Sequence, residues 1–194
     1  MKPFARQDLW PLEEYHRRRP AFRAEVIAHK RRRTAHLGEH VTLLFEDATT
    51  IRYQIQEMLR IERTFDPRGI QDELDAYNPL IPDGCNFKAT MLIEYADPVE
   101  RADRLKQLKG IERMTWVRVQ GHREVFAIAD EDLVRENDEK TSSVHFLRFE
   151  LDADMRSALK GGAALAMGIR HPAYTLTRET VAPDLRSALV ADLD

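Results

Sequence analysis

The segment SVHFLRFEL, residues 143–151, constrains the fold of this chain more than any other. Side chains of a β-strand alternate between two faces, and in this segment both faces carry large apolar residues. Such a strand needs cover on both sides, so it lies inside a sheet rather than at its edge. Arg148 stands beside Phe146 on one of these faces, and we expect it to be at least partly buried.

The segments around this strand predict a sheet with helices packed on it. From residue 86 onward, strand patterns alternate with single helices, in the order β-α-β-β and then β-α-β. This order favours an α+β fold with a mixed or antiparallel sheet of about five to six strands. The predicted strands are 40–47, 86–95, 114–120, 123–130, 143–151 and 163–171, and the main helices of the body are 48–65, 97–110, 152–162 and 183–193.

An N-terminal helical arm precedes this body. Pro11 and Pro20 each suit the first turn of a helix, which predicts a short helix at 11–19 and a longer one at 20–37. Gly38 then ends the longer helix.

Charge also separates the arm from the body. Residues 1–40 carry a net charge of +5, whereas the remainder carries −8. We therefore predict a basic arm over residues 1–38 and a single α+β domain over residues 39–194. The arm either grips a phosphate-bearing partner or docks on its own body or on a second copy of the chain.

A buried guanidinium at Arg148 needs a carboxylate, because an unpaired buried charge is too costly. Helix 48–65 offers Glu62, which falls at the middle of an apolar stripe and must itself be paired or protonated. We predict that Glu62 and Arg148 are in contact, with His145 on the opposite face of the sheet. Glu94 and Glu124 are alternative partners for Arg148, and Glu57 is expected in solvent. The stripe consists of Ile51, Ile55, Met58, Leu59 and Phe65.

A second candidate site lies on the longer arm helix. His29, Arg33 and His36 share one predicted helix face, which begins apolar and turns cationic. That face either covers a pocket for an anion or a metal, or simply leaves the body for water. With His40, the histidines His29 and His36 are candidate ligands for iron, zinc or manganese.

A third candidate site is the segment IRHPAY, residues 169–174. Pro172 favours extended geometry at His171, so the predicted strand ends with a stiffly held imidazole. Tyr174 follows in a turn. His171 either lines a site or serves the turn through hydrogen bonds to the backbone, and Tyr174 is a further pocket candidate.

Several kinds of chemistry lack their sequence motifs. The chain has no phosphate-binding loop, no dinucleotide fingerprint and no GxSxG elbow, and Glu13 and His16 supply only half of a di-iron helix motif. Its one cysteine, Cys85, cannot form an internal disulfide or a cysteine-rich metal cage. Neither a membrane span nor a secretion signal is predicted, so we expect a cytoplasmic protein.

Five segments together resemble the bacterial family called domain of unknown function 3501. They are FEDATTIRYQIQEMLRIER, YNPLIPDG, GHREVFAIADEDL, EKTSSVHFLRFEL and IRHPAYT. The resemblance covers nearly the whole chain and implies no particular reaction. It implies a setting near rubrerythrin-like proteins and iron–sulfur oxidoreductases, and hence a role close to iron or peroxide metabolism.

Two functional hypotheses follow. In the first, Glu62, Arg148, His145 and His171 build a polar pocket roofed by the arm helix, which binds a metal or a small anion in a redox setting. In the second, a non-enzymatic adaptor grips RNA or an acidic protein through the basic arm. A scaffold that assembles as a homo-oligomer is a third reading.

Overall fold

The computed structural model describes residues 2–129 and 140–194, and these form six α-helices and nine β-strands. The helices are α1 (Leu12–Arg31), α2 (Ala48–Glu62), α3 (Pro67–Tyr77), α4 (Pro98–Gln107), α5 (Ala153–Lys160) and α6 (Pro183–Val190). The strands are β1 (Thr34–His36), β2 (Val41–Phe45), β3 (Asn86–Ile93), β4 (Thr115–Val119), β5 (Glu124–Phe126), β6 (Ile128–Ala129), β7 (Val144–Glu150), β8 (Leu165–His171) and β9 (Tyr174–Arg178). Asp130, the end of one predicted strand, lies outside the described residues.

The strands form two antiparallel sheets. The first has the order β1-β2-β3-β7-β6 and the second has the order β5-β4-β8-β9. The α+β class is confirmed, but the strands divide between two sheets instead of forming the single sheet that was expected. The sequence pattern did not predict β1, which falls within the predicted helix 20–37, or β9, which begins at Tyr174 in a predicted turn. Between β5 and β6 the backbone passes at Ala127 from the second sheet to the first.

The main core lies between the two sheets and is completed by α5 and α6. Strand β7 has neighbours on both sides, as predicted, and its burial alternates along the chain. His145, Leu147 and Phe149 are buried on the face that belongs to the core, whereas Arg148 on the other face is half-buried. The strand is therefore interior in its sheet, with only one face fully covered.

Helix α1 differs from the prediction at both ends. It runs through Pro20 as one helix from Leu12 to Arg31, and the chain then turns into β1. Strand β1 forms because its backbone pairs with β2, with His36 opposite Thr42. His36 therefore belongs to a sheet edge and not to the face of α1 that carries His29.

A smaller core joins α1, α2 and α3 beside the sheets. It contains Ile51, Ile55, Leu59, Leu74 and Ile81 and lies against N-terminal apolar residues. Among the described helices, none is long and apolar enough to cross a membrane. The division of the chain at residue 38 stays a prediction, and its first part includes β1.

Candidate functional site

The predicted contact between Glu62 and Arg148 is not formed. Glu62 is the last residue of α2 and is exposed, and the helix ends at Arg63, which adopts a left-handed conformation. Arg148 pairs instead with Glu150 on its own strand. The prediction of one pocket around Glu62 and Arg148 is therefore wrong.

The acid of α2 that is bound by other side chains is Glu57, which was expected in solvent but is only 12% exposed. Its Oε1 accepts hydrogen bonds from the Tyr15 hydroxyl at 2.6 Å and from Arg19 Nε at 2.7 Å. Arg60 donates to the same carboxylate. The Arg19 guanidinium, opposed by burial and helped by Tyr15, lowers the pKa of Glu57 to about 2.

His145 lies in a buried cluster on the face of the first sheet that packs against the core. Its Nε2 is 2.9 Å from Thr141 Oγ1, 3.0 Å from Ser142 O and 3.9 Å from Glu112 Oε2. The side chains of His145 and Glu112 are 0% and 1% exposed. A ligand from solution does not reach this imidazole, so its contacts are those of a packed core.

His171 and Tyr174 hold the backbone rather than a pocket. His171 Nε2 bonds Lys109 O at 3.1 Å and its Nδ1 accepts from Ala173 N at 3.2 Å, which uses both ring nitrogens. The Tyr174 hydroxyl donates to Leu37 O at 2.6 Å and so connects the two sheets. His171 thus acts in the turn, which is the alternative that the sequence left open, whereas Tyr174 begins β9 and bonds across to the first sheet.

The remaining predicted histidines, His36 and His40, are also separate from these sites. His36 Nδ1 lies 3.1 Å from Thr42 Oγ1 on the exposed edge of the first sheet. The His40 ring stacks on Tyr95 with 4.0 Å between centroids. Among the described residues, no group of three or more possible ligands is placed to hold a metal ion.

One groove does bring two predicted residues together. It lies between the end of α1 and α6, has a volume of about 450 Å³ and is lined by both His29 and Arg33. Asp47, the N-cap of α2, and Asp192, just after α6, contribute carboxylates. Other lining residues are Arg32, Asp184, Ser187, Ala188 and Ala191. We call this the α1–α6 groove.

Arg33 forms the floor of the α1–α6 groove and is fully engaged. It is 2% exposed, its Nε donates to Phe45 O at 3.0 Å, and NH2 donates to Glu46 O at 3.2 Å. Its guanidinium pairs with Asp192 and lies 3.4 Å from Asp47 Oδ2. Burial raises the pKa of Asp192, and the Arg33 ion pair opposes that rise. Arg33 therefore fixes the groove and has no donor left for a ligand.

His29 is the residue of the α1–α6 groove that keeps a ring nitrogen available to a ligand. Its Nε2 lies 2.5 Å from Asp47 Oδ2, and Asp47 Oδ1 accepts from Thr50 N at 2.9 Å. A carboxylate can only accept, so Nε2 carries the hydrogen and Nδ1 presents a lone pair in the neutral ring. No described residue bonds that Nδ1. A carboxylate that fixes the tautomer of a half-exposed imidazole is an arrangement suited to proton transfer.

Sequence reasoning identified His29 and Arg33 but missed their partners. Asp47 had a local signal, since an aspartate between a strand and a helix is a typical N-cap. Asp192 had none, because its role depends on the long-range approach of α6 to Arg33.

Comparisons with known proteins agree with this fold. Residues 3–193 match the profile of the family described as protein of unknown function (DUF3501). The chain is similar to a novel protein of unknown function from Burkholderia pseudomallei K96243, known from its crystal structure. The two chains share 52% identity and a TM-score of 0.95 over 100% of each. No curated protein matches the chain.

Proposed function

The chain belongs to the DUF3501 family, and from that premise we propose that it binds a small carboxylate in the α1–α6 groove and takes up a proton at His29. The observation that carries this proposal is the His29–Asp47 pair, which leaves Nδ1 of the imidazole available. Beside it in the groove, the exposed Arg32 guanidinium makes no hydrogen bond or ion pair with the described residues. Arg32 holds the anion in this proposal, because a guanidinium fork matches the two oxygens of a carboxylate.

The charges that line the α1–α6 groove link binding to protonation. With a neutral His29, three aspartates oppose two arginines, and the groove disfavours an anion. A proton on His29 balances these charges and turns Nδ1 into a second donor for the ligand. A single proton suits a singly charged ligand, which favours a carboxylate over a phosphate dianion.

Isothermal titration calorimetry tests this link. Short monocarboxylates are titrated in buffers that differ in ionisation heat, and we expect uptake of about one proton per bound anion. His29→Gln should abolish the uptake and weaken binding about tenfold, the size of one lost charged hydrogen bond. His16→Gln, on the exposed side of α1, should change neither. Binding without proton uptake, or equal binding by the His29 variant, would contradict the proposal.

A metal ion is the less favoured ligand for the same groove. The described residues offer no set of three ligands, and the Nε2 of His29 is already committed to Asp47. Elemental analysis of tag-free protein for iron, zinc and manganese decides the matter. A stoichiometric metal that disappears with His29→Gln would replace the anion in our proposal.

The proposal of a redox partner rests on the family resemblance alone. We propose a rubrerythrin-like protein or an iron–sulfur oxidoreductase as the partner, with this chain as the accessory subunit that binds the carboxylate. Analytical ultracentrifugation of the purified pair is the test. Independent sedimentation at concentrations well above the physiological range would exclude it.

The second candidate function is an adaptor that grips RNA, an acidic protein or a second copy of the chain through α1. It is favoured by Arg23 and Arg31, which are exposed and form no ion pair with the described residues. Replacing both by alanine should abolish binding whose affinity falls steeply as the salt concentration rises. Arg33 is unsuitable for this test because it is buried.

A further inference from the structure

Arg52, in the first half of α2, is an arginine that the fold leaves without an acceptor. None of its side-chain nitrogens makes a hydrogen bond or an ion pair with a described residue, and its Nε is buried. A buried donor without an acceptor is costly, and a guanidinium carries a whole fork of donors. This position therefore differs from Arg33, whose donors all meet protein oxygens.

The guanidinium of Arg52 is nevertheless held in a defined place. Its central carbon lies 4.1 Å from the centre of the Trp10 ring, which is a cation–π contact. Trp10 is fixed in turn by the buried Gln56, which accepts from Trp10 N at 2.8 Å and donates to Trp10 O at 3.2 Å. The donors of Arg52 are thus ordered before any ligand arrives, which lowers the entropy cost of binding.

A second guanidinium shares the same ring. Arg18 lies 5.1 Å from the Trp10 centroid, with its Nε bonded to Glu14. Burial lowers the pKa of Arg52, and Arg18 adds to that effect while Asp8 opposes it. The carboxylate of Asp8 accepts from Ala5 N at 2.7 Å and forms no ion pair with Arg52. Both guanidiniums therefore lie against the same ring of Trp10.

We propose that Arg52 and Arg18, ordered on the ring of Trp10, bind the phosphoryl group of a small ligand. A phosphoryl group has enough acceptor oxygens to meet one guanidinium fork and to reach the second. The ligand is either free phosphate or a nucleotide whose base lies on the neighbouring rings, since Phe22 is 5.1 Å from Trp10 and 5.8 Å from Tyr53. This site does not line the α1–α6 groove, and the proposal does not depend on binding there.

Tryptophan fluorescence and calorimetry with inorganic phosphate and with adenosine monophosphate test the site. Trp10 reports on it directly, whereas Trp116, the second tryptophan, is 1% exposed and lies in β4 of the second sheet. We expect saturable binding that changes the emission of Trp10, and loss of that change in Trp10→Phe. Tighter binding of the nucleotide than of phosphate identifies the nucleotide as the source, and equal binding identifies free phosphate.

Two variants of Arg52 and two controls separate this site from general charge attraction. Arg52→Gln should weaken binding at least tenfold, and Arg52→Lys should weaken it severalfold because a point charge loses the fork. Arg23→Gln removes one exposed charge from α1 and should stay within twofold of the wild type. His29→Gln should leave phosphate binding unchanged, which keeps the result independent of the α1–α6 groove.

Two outcomes would overturn the proposal. One is the absence of saturable binding of either probe to a folded wild-type protein. The other is binding that Arg52→Gln and Arg23→Gln weaken equally, because Arg52 would then contribute only its charge.

Discussion

The residues at or just beyond the two ends of α1 bind two acids, Glu57 in α2 and Asp47 at its N-cap, by the same spacing in different surroundings. At one end, Tyr15 and Arg19 bind Glu57, while at the other, His29 and Arg33 lie against Asp47. In both pairs the basic residue follows the first by one helical turn of sequence. We call these the tyrosine end and the histidine end.

The two ends differ in the residue that meets the acid and in its surroundings. Burial and the hydrogen bond to Glu57 raise the pKa of Tyr15 well above its ordinary value, so its phenol keeps its proton. A histidine, by contrast, has a second ring nitrogen, and Nδ1 of His29 borders a groove without a hydrogen bond to a described residue. The contact with the acid is therefore structural at the tyrosine end, whereas the histidine end also has an available ring nitrogen beside a groove.

Arg33→Met should have the largest effect, at the histidine end. It leaves Asp47 and Asp192 buried without their cation, and the free energy of unfolding should fall by about 3–5 kcal/mol. Urea denaturation measures this loss. Arg32→Met, the exposed neighbour, is the control and should stay within about 0.5 kcal/mol of the wild type. If Arg33→Met lost as little stability as its control, Arg33 would not be the residue that stabilises the two buried aspartates.

Glu57→Gln should have the next largest effect, at the tyrosine end. Loss of the carboxylate weakens the charged hydrogen bonds from Arg19 and Tyr15, at a cost of about 2 kcal/mol in unfolding free energy. Because the tyrosine end is structural, carboxylate binding by the folded variant should equal that of the wild type. Glu13→Gln, on the exposed side of α1, serves as the control. A selective loss of binding in the Glu57 variant would break the comparison.

The acid dependence of stability should also reside at the tyrosine end. The pKa of Glu57 is lowered from 4.5 to about 2 in the folded protein, mainly by Arg19. Its contribution is therefore complete above pH 4.5 and is lost as the pH falls from 4.5 towards 2. Urea denaturation of wild type and Glu57→Gln across this range should show the two stabilities converging. Parallel curves would show that Glu57 is not the group that titrates.

His29→Gln should have the smallest effect on stability. The imidazole is partly exposed and its loss leaves Asp47 with Arg33 and the N-cap bond, so the unfolding free energy should fall by about 1 kcal/mol or less. Carboxylate binding should nevertheless decline as described above. A large loss of stability with intact binding would make the histidine end structural as well.

Patterns of period two and of helical period predicted the class of this fold, because β7, α2 and the other long elements follow their local residues. They did not predict the division into two sheets, since β1 forms only when β2 pairs with it. Pro20 favoured a helix start, yet α1 continues through it. Local patterns thus failed where tertiary pairing overrides them.

The candidate site was predictable only in part. His29 and Arg33 were found by their spacing along the arm, although Arg33 lies beyond the end of α1. Glu62 was chosen over Glu57 because the apolar stripe was extended to Phe65, which is 69% exposed. The role of Glu57 depends instead on its contacts with Tyr15 and Arg19, which lie on α1 and are absent from any local pattern of α2.

The links between the two sheets limit where a guest molecule can bind. Tyr174 and Arg178 join β9 to the first sheet along one margin, and the backbone at Ala127 joins the sheets along the opposite margin. Within the described residues, a peptide or lipid tail arriving from solvent therefore meets a sandwich that is fastened on both flanks. The two sheets therefore cannot separate at either margin without breaking one of these links.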